Sequence, residues 1–168
     1  MKKIRVFCFD LGDTIMQEAT EIKDFTRTTQ RADLFPGIKE ALHDLEKMGY
    51  TLALVADTRP GTYKNVLTMH GLYDLFSVFS ISEELGTEKP DPRMFQYVLD
   101  KLGVLPEETV MCGNNLKKDI AGANKMGMTT VWFHWNDRYD TTPRTELEHP
   151  DYTVRSAKDL IDLVKRLT

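Results

Sequence analysis

Two acidic side chains follow the first apolar run of the chain, "IRVFCFDLGDTIM" (residues 4–16). Asp10 stands where this run ends, and Asp13 comes three residues later. An aspartate in such a place often serves a turn, where its side chain accepts hydrogen bonds from backbone amides. The alternative is a reactive carboxylate, because an aspartate at the end of a buried strand can act as a nucleophile or as a metal ligand. Other polar residues of the chain favour the second interpretation.

A lysine and a third aspartate could belong to the same reaction centre. Lys89, in "GTEKPDP", is an ordinary loop lysine by residue type, but two prolines follow it and restrict the backbone. A fixed ammonium group beside a carboxylate would keep that carboxylate ionised and would offset the charge of a phosphoryl group. Asp119, in "GNNLKKDIAGA", lies in the first turns of a predicted helix, where the helix dipole alone favours an acid.

The elements that must position these residues alternate between strand and helix along the chain. Strands are predicted at six apolar runs: Ile4–Phe9, Thr51–Ala56, Ser77–Ile81, Thr109–Cys112, Thr129–Phe133 and Tyr152–Val154. Helices are predicted at five segments of helical period: Gly37–Gly49, Gly61–His70, Pro92–Leu102, Leu116–Gly127 and Ala157–Leu167. This alternation predicts right-handed β-α-β units and an α/β fold, a doubly wound parallel sheet with helices on both faces.

The polar residues that could do chemistry lie after predicted strands. Asp10 follows the first strand, while Asp57 and Thr58 follow the second. Lys89 lies in the loop after the third strand, and Asn114 comes after the fourth. Since doubly wound sheets bind ligands beyond the carboxyl ends of their strands, we expect these side chains to share one site.

The composition is typical of a soluble globular protein. The 168 residues, 41% of them hydrophobic and 29% charged, fit a single domain, 1–168, with a substantial core. The net charge of −4, with no basic block, argues against a nucleic-acid partner. No run of about 18 apolar residues and no cleavable signal pattern is present, so we expect no membrane association and a cytoplasmic location. Cys8 and Cys112 are expected to be small, reduced core residues.

Several segments together resemble the haloacid dehalogenase (HAD) superfamily of hydrolases. They are the aspartate after the first strand, "KPDP" before the helix that follows the third, and "GNNLKKDIAGANKMG" after the fourth. The segment "LFPGIKEALHDLEKMGYTLALVADT" also resembles that superfamily's approach to its second motif. The resemblance covers roughly residues 4–133 and extends to the "DYTV" strand and the last helix, and it implies a Rossmann-like HAD fold.

What the resemblance implies for function is a magnesium-dependent phosphatase. In such a mechanism Asp10 attacks phosphorus and forms an aspartyl phosphate, which water then hydrolyses. Lys89 would steady the charge during this step and would contact the substrate, as would Asp57 or Thr58. The ligands of Mg²⁺ would be Asp10, the backbone carbonyl of Gly12, Asn114 and Asp119.

The motif around the implied nucleophile departs from that family's pattern. Its phosphatases usually carry D-x-D-G-T, in which the second aspartate is the general acid and base. Here the order is Asp10-Leu11-Gly12-Asp13-Thr14, so a glycine takes that place. Successive side chains of an extended segment point to opposite sides, and Asp13 therefore need not reach the leaving group.

Two further positions depart from the pattern. The second motif usually ends in Ser or Thr, whose hydroxyl holds phosphate, but Ala56 stands here. Asp57 or Thr58 could compensate, although a carboxylate beside phosphate repels it unless it is protonated or bound to metal. The fourth motif usually begins Gly-Asp, and here it is Gly113-Asn114, which offers a cation only an uncharged oxygen.

Between the first and second motifs, many relatives insert a helical cap over the site. Only residues 17–35 intervene here, and they are polar, so no substantial cap domain is predicted. The site is expected to be open, or to be covered by a partner subunit of a homo-oligomer, by a macromolecular substrate, or by the loop "HWNDRYDTTPRTELEHP". Trp135 and Tyr139 of that loop are interpreted as packing residues, with substrate contact as the alternative.

Three functions are compatible with these residues. The first is a HAD-type phosphatase that acts on small phosphate esters with the help of Mg²⁺. The second is a catalytically degenerate protein of the same fold that binds a phosphorylated ligand or a protein partner. The third is metal-free dehalogenation with Asp10 as nucleophile, although relatives of that kind usually enclose their substrate with a cap.

Overall fold

The computed structural model of the protein describes residues 3–168 and is built around a parallel sheet of six strands. The strands in chain order are β1 (Val6–Phe9), β2 (Ile22–Lys23), β3 (Thr29–Arg31), β4 (Thr51–Ala56), β5 (Phe76–Ile81), β6 (Thr109–Gly113), β7 (Thr129–Phe133) and β8 (Tyr152–Val154). The sheet has the order β5-β4-β1-β6-β7-β8, and all its neighbouring strands are parallel. β2 and β3 form a separate antiparallel pair.

Helices connect the strands. They are α1 (Ile38–Lys47), α2 (Pro60–Met69), α3 (Ser82–Leu85), α4 (Pro92–Leu102), α5 (Ala121–Met126) and α6 (Ala157–Leu167), and a π-helical turn, Leu116–Ile120, precedes α5. Within residues 3–168, none of these helices has the length and apolar character needed to cross a bilayer.

The central strands bury both of their faces, and this explains their continuous apolar sequences. Phe7 and Phe9 of β1 pack into the core that contains α1, α2 and α6. Val6 and Cys8, which point to the opposite side, pack into the second core with α4 and α5. The helices therefore cover both faces, as the sequence predicted.

The order of strands places a switch point beside β1. This strand pairs with β4 on one side and with β6 on the other, and the chain builds the sheet outward in both directions from it. Ligands of doubly wound sheets bind in the crevice at such a point. The residues after these three strands, Asp10, Asp57 and Asn114, consequently meet at one edge.

Most predicted boundaries agree with the structure within one or two residues, but one helix does not. The first strand begins at Val6 instead of Ile4, and the third at Phe76 instead of Ser77, which is the usual scatter of strand ends. The predicted helix Leu116–Gly127 is divided into the π-helical turn and α5. The reason is that the Ile120 N–H donates to the carbonyl of Asn115, five residues earlier, at 3.3 Å.

Residues 17–35 contain no cap domain, as predicted, but they do contain structure that the sequence did not reveal. β2 and β3 form a hairpin that lies against α2. The Thr29 N–H donates to the Thr62 hydroxyl at 3.1 Å, and the Asn65 amide donates to the Thr29 carbonyl at 3.0 Å. This hairpin supplies one wall of the candidate site.

Candidate active site

The seven residues predicted for the site all line one cavity of about 400 Å³ at the carboxyl ends of β1, β4 and β6. They are Asp10, Gly12, Asp57, Thr58, Lys89, Asn114 and Asp119. Their chemical roles stay predictions, but their convergence from four separate segments, those that follow β1, β4, β5 and β6, gives the cavity a definite chemical character.

Lys89 is the centre of this cluster. Its side chain is 2% exposed, and its ammonium group lies 2.8 Å from Asp10 Oδ1, 2.7 Å from Asp119 Oδ1 and 2.8 Å from the Val55 carbonyl. An ammonium group has three N–H donors, so each of them has an acceptor here. The backbone is fixed as well, because the Lys89 N–H donates to Asp57 Oδ1 at 2.9 Å. The position of this lysine is thus determined from both ends.

The charges of this cluster do not cancel. Burial lowers the pKa of Lys89, but Asp10 and Asp119 together raise it above its ordinary value, so the ammonium stays charged. Burial raises the pKa of Asp10, the neighbouring Asp119 raises it further, and Lys89 opposes both effects. Two carboxylates share one ammonium group, which leaves this pocket attractive to a cation.

The oxygens around Asn114 fit a magnesium ion. The Asn114 amide faces Asp10 Oδ2 at 2.9 Å and the Gly12 carbonyl at 3.2 Å. With its nitrogen towards them the amide donates two hydrogen bonds, and with its oxygen towards them three oxygens converge. The separations of the Asn114 atom from the other two oxygens match the about 3 Å between neighbouring ligands of an octahedral ion that binds oxygen at 2.0–2.1 Å. Within residues 3–168 no group of three His, Cys, Asp or Glu side chains could hold a metal, so an ion here depends on amide and carbonyl oxygens.

Asp119 reaches the cluster because of the π-helical turn and a glycine. Its carboxylate turns back, and Oδ2 accepts the Asn115 N–H at 3.0 Å. A Cβ built on Gly113 would collide with the carboxyl group and with Cβ of Asp119, at 2.5 Å from Cγ and 2.6 Å from Cβ. Only glycine at the end of β6 therefore lets this acid approach Lys89.

Ala56 stands where the family usually has a serine or threonine that binds phosphate, and its neighbours Asp57 and Thr58 differ in their hydrogen-bond partners. Ala56 contributes only a methyl group. Both oxygens of Asp57 are engaged, Oδ1 by the Lys89 N–H and Oδ2 by the Lys118 ammonium at 3.3 Å. Thr58 lines the cavity, and its hydroxyl makes no hydrogen bond within the described part of the chain. Thr58 is therefore better suited than Asp57 to receive a phosphate oxygen.

Asp13 is turned away from the cavity. Its side chain is 3% exposed and its backbone has a φ of 50°, a left-handed conformation that is uncommon outside glycine. Oδ1 accepts the Glu18 N–H at 2.9 Å, and Arg138 Nε lies 3.6 Å from Oδ2. The displaced aspartate of the first motif thus holds neighbouring segments in place.

Three further residues of the cavity, Glu18, Lys118 and Tyr139, are not among the site residues predicted from the sequence. Tyr139 was interpreted as a packing residue, but its hydroxyl donates to Glu18 Oε2 at 2.8 Å at the cavity wall. Burial raises the pKa of Glu18, and the hydrogen bond from Tyr139 opposes this effect. Lys118 could have been found, because it precedes Asp119 in the quoted motif, whereas nothing local marks Glu18.

A family model described as haloacid dehalogenase-like hydrolase matches residues 8–133, which include every residue of the cluster around Lys89. The chain belongs to this family. A HAD phosphatase from Thermococcus onnurineus has a similar structure, with a TM-score of 0.79 at 21% identity over 96% of this chain and 98% of that one. The prediction of a doubly wound HAD fold is confirmed.

The curated relatives are named as phosphatases. The chain is 36% identical over 133 residues to the glyceraldehyde 3-phosphate phosphatase of Methanopyrus kandleri, covering 79% of this chain and 57% of the relative. It is 38% identical over 117 residues to the phosphoserine phosphatase of Thermus thermophilus, covering 69% and 47%. The chain therefore spans about half the length of the curated relatives it matches.

Proposed function

We propose that this chain is a HAD-type phosphatase that hydrolyses small phosphate monoesters through an aspartyl phosphate on Asp10. The observation that carries the proposal is the buried Lys89 ammonium, 2.8 Å from Asp10 Oδ1 in a cavity at the switch point of the sheet. The names of the two curated relatives support the reaction class, and the cavity volume of about 400 Å³ suits a metabolite-sized ester.

The first step uses the fixed position of Asp10. A carboxylate oxygen bonds to phosphorus while the bond between phosphorus and the alcohol oxygen breaks, which gives the aspartyl phosphate. Lys89 orients Asp10 before the attack and offsets the negative charge that gathers near the phosphoryl group. In the second step water attacks phosphorus, and the regenerated Asp10 carboxylate returns to its ion pair with Lys89.

Asp10, the Gly12 carbonyl and Asn114 would hold Mg²⁺. Asp119 would not bind the ion directly, because its carboxylate is paired with the Lys89 ammonium. When bound, the ion would neutralise phosphoryl oxygens and so lower the barrier to attack by an anion. Thr58 and Lys118, which also line the cavity, would receive the remaining phosphoryl oxygens and part of the substrate. Thr58 and Lys118 would thus bind the phosphoryl group without the serine or threonine hydroxyl that is usual at the position of Ala56.

The test compares the wild-type protein with Asp10→Asn in turnover of phosphoserine and 4-nitrophenyl phosphate with Mg²⁺ present. We expect turnover to fall by a factor on the order of 10³ or more with an unchanged fold, because an amide cannot form the acyl phosphate. Asp74→Asn, which changes an exposed acid elsewhere, is the matched control. Acid quenching followed by mass spectrometry should find a phosphoryl group on Asp10 of the wild type.

Two outcomes contradict the proposal. Wild-type turnover in Asp10→Asn would show that another residue is the nucleophile. A wild-type protein that binds phosphoserine but neither turns it over nor accumulates phosphorylated Asp10 would instead be a binding protein of this fold.

A further inference from the structure

The space that the acid of the D-x-D motif would occupy is filled by Glu18. A Cβ built on Gly12 would collide with Glu18 Oε1, and would lie 3.1 Å from its Cγ and Cδ. The Cβ built on Gly12 and Glu18 Oε1 are about as far apart as the Cβ of an aspartate is from its own carboxylate oxygen. A carboxylate oxygen therefore lies near Gly12 although residue 12 has no side chain.

Contacts on both sides hold Glu18 in this place. Its N–H donates to Asp13 Oδ1 at 2.9 Å, and its Oε2 accepts the Tyr139 hydroxyl at 2.8 Å. Arg138 Nε lies 3.5 Å from the same Oε2. The displaced Asp13 and the loop that contains Tyr139 thus converge on one glutamate.

The other oxygen of Glu18 is available. Within residues 3–168, Oε1 receives no hydrogen bond, and Glu18 lines the same cavity as Asp10. The arrangement leaves one anchored oxygen at the wall and one unengaged oxygen beside Gly12. Such an arrangement is suited to exchanging a proton with a bound group.

We propose that Glu18 is the general acid and base of this enzyme, in place of the aspartate that the first motif lacks. The inference rests on the proposed function, since it assigns a role within that reaction. Asp13 and Tyr139 are then positioning residues that act through Glu18. Asp13 cannot take the role itself because it is buried outside the cavity lining, and Asp57 cannot because both its oxygens are engaged.

The proton balance of the reaction follows from this assignment. As Asp10 bonds to phosphorus and the ester bond breaks, protonated Glu18 gives its proton to the leaving oxygen, and the alcohol departs. Glu18, now a carboxylate, takes a proton from the water whose oxygen attacks phosphorus. The bond between phosphorus and Asp10 breaks, phosphate leaves, and Glu18 is protonated again.

The dependence on the leaving group tests this role. We expect Glu18→Gln to lower kcat on phosphoserine, an alkyl ester, by a factor on the order of 10²–10⁴. Turnover of 4-nitrophenyl phosphate should fall far less in its first step, because nitrophenolate leaves without a proton, and single-turnover release of nitrophenol isolates that step. Glu46→Gln, at an exposed position of α1, is the matched control.

Rescue separates catalysis from structure. Glu18→Ala should lose activity on phosphoserine, and adding Gly12→Asp to it should recover a large part, because the alanine leaves room for an aspartate beside residue 12. If Glu18→Gln lowers nitrophenol release and phosphoserine turnover equally, or if the double variant recovers nothing, Glu18 is not the acid. An active Asp10→Asn would overturn the proposed function itself, so the two failures are distinguishable.

Discussion

Asn114 is the residue that sets the charge of the candidate metal site. Where relatives of this family usually carry an aspartate, this chain has an amide whose oxygen is uncharged. Asp10 and Asp119 together contribute two negative charges, of which Lys89 offsets one. We therefore expect free-protein affinity for Mg²⁺ to be weak, because carboxylates and substrate phosphates supply most of the binding of this ion.

Asn114→Asp should tighten Mg²⁺ binding about tenfold or more, since ligand charge is a main determinant of affinity at oxygen sites. In the absence of metal the new carboxylate lies near Asp10, so repulsion should lower the melting temperature. Isothermal titration calorimetry and thermal melts with and without Mg²⁺ measure both effects. Asn115→Asp is the control, because that side chain accepts the Lys117 and Lys118 N–H groups at the start of the π-helical turn.

Equal Mg²⁺ affinities for the two variants would show that residue 114 does not face the metal. The assignment of Asp10, the Gly12 carbonyl and Asn114 as one ligand set would then be wrong. A drop in apo stability confined to Asn114→Asp would still locate the added charge beside Asp10.

Among individual residues, those that belong to local sequence motifs could be predicted for the site. Those that reach the site only through tertiary contacts could not. Asp10, Lys89 and Asp119 each follow a strand in a recognisable local pattern. Glu18 lies in a polar segment without strand or helix period, and its position depends on Tyr139, which is 121 residues away in the chain. The structure also changes what a substitution at Gly12 means, because Glu18 occupies the space that a new aspartate would need.

Among the elements, the hairpin of β2 and β3 is held by side chains of α2. The Thr62 hydroxyl accepts the buried Thr29 N–H, and the Asn65 amide donates to the Thr29 carbonyl. Arg59 also donates to the Thr26 carbonyl near the tip of the hairpin. Two short strands on their own are only marginally stable in water, so this attachment decides whether the cavity wall is ordered.

Thr62→Val should loosen the hairpin. The substitution nearly conserves shape but removes the acceptor of a buried N–H, which costs about 1–3 kcal/mol. Trypsin cleavage after Arg27, in the exposed tip, should become about tenfold faster or more, because a cost of about 1.4 kcal/mol is a tenfold change in an opening equilibrium. Thr68→Val, on the exposed face of α2, controls for the loss of a hydroxyl. Equal cleavage rates for both variants would show that Thr62 does not hold the hairpin.

The strands of the central sheet and most helices were predictable because burial sets their pattern of apolar residues. The β2–β3 hairpin and the π-helical turn were not predictable in this way. β1 and β4 alternate between two cores, so their residues are apolar on both sides and stand out from the loops. The hairpin has polar residues because it lies at the surface, and its stability comes from α2. The π-helical turn differs from an α-helix by one residue in its hydrogen bonding, a difference that hydrophobic periodicity does not report.

At the scale of the whole molecule, the site depends on the integrity of the central sheet. β1 carries Asp10, and its partner β6 leads to Asn114. Cys8 and Cys112 lie in these two strands, and both are completely buried. They can therefore report on the opening of the strands that position the site.

We expect neither thiol to react with a disulfide reagent in the folded protein. Burial raises the pKa of Cys8 to about 12 and that of Cys112 well above its ordinary value, so both remain protonated at about pH 8, where an exposed thiol is partly ionised. Reaction requires the central strands to separate, and the labelling rate should match global unfolding followed by circular dichroism across a denaturant series. Cys8→Ala and Cys112→Ala, measured singly, should label at the same rate as each other once the small effect of each cavity on stability is corrected. Rapid labelling of Cys8 or Cys112 in native buffer would show that β1 or β6 opens locally, and the fixed position of Asp10 or Asn114 would then have to come from ligand binding.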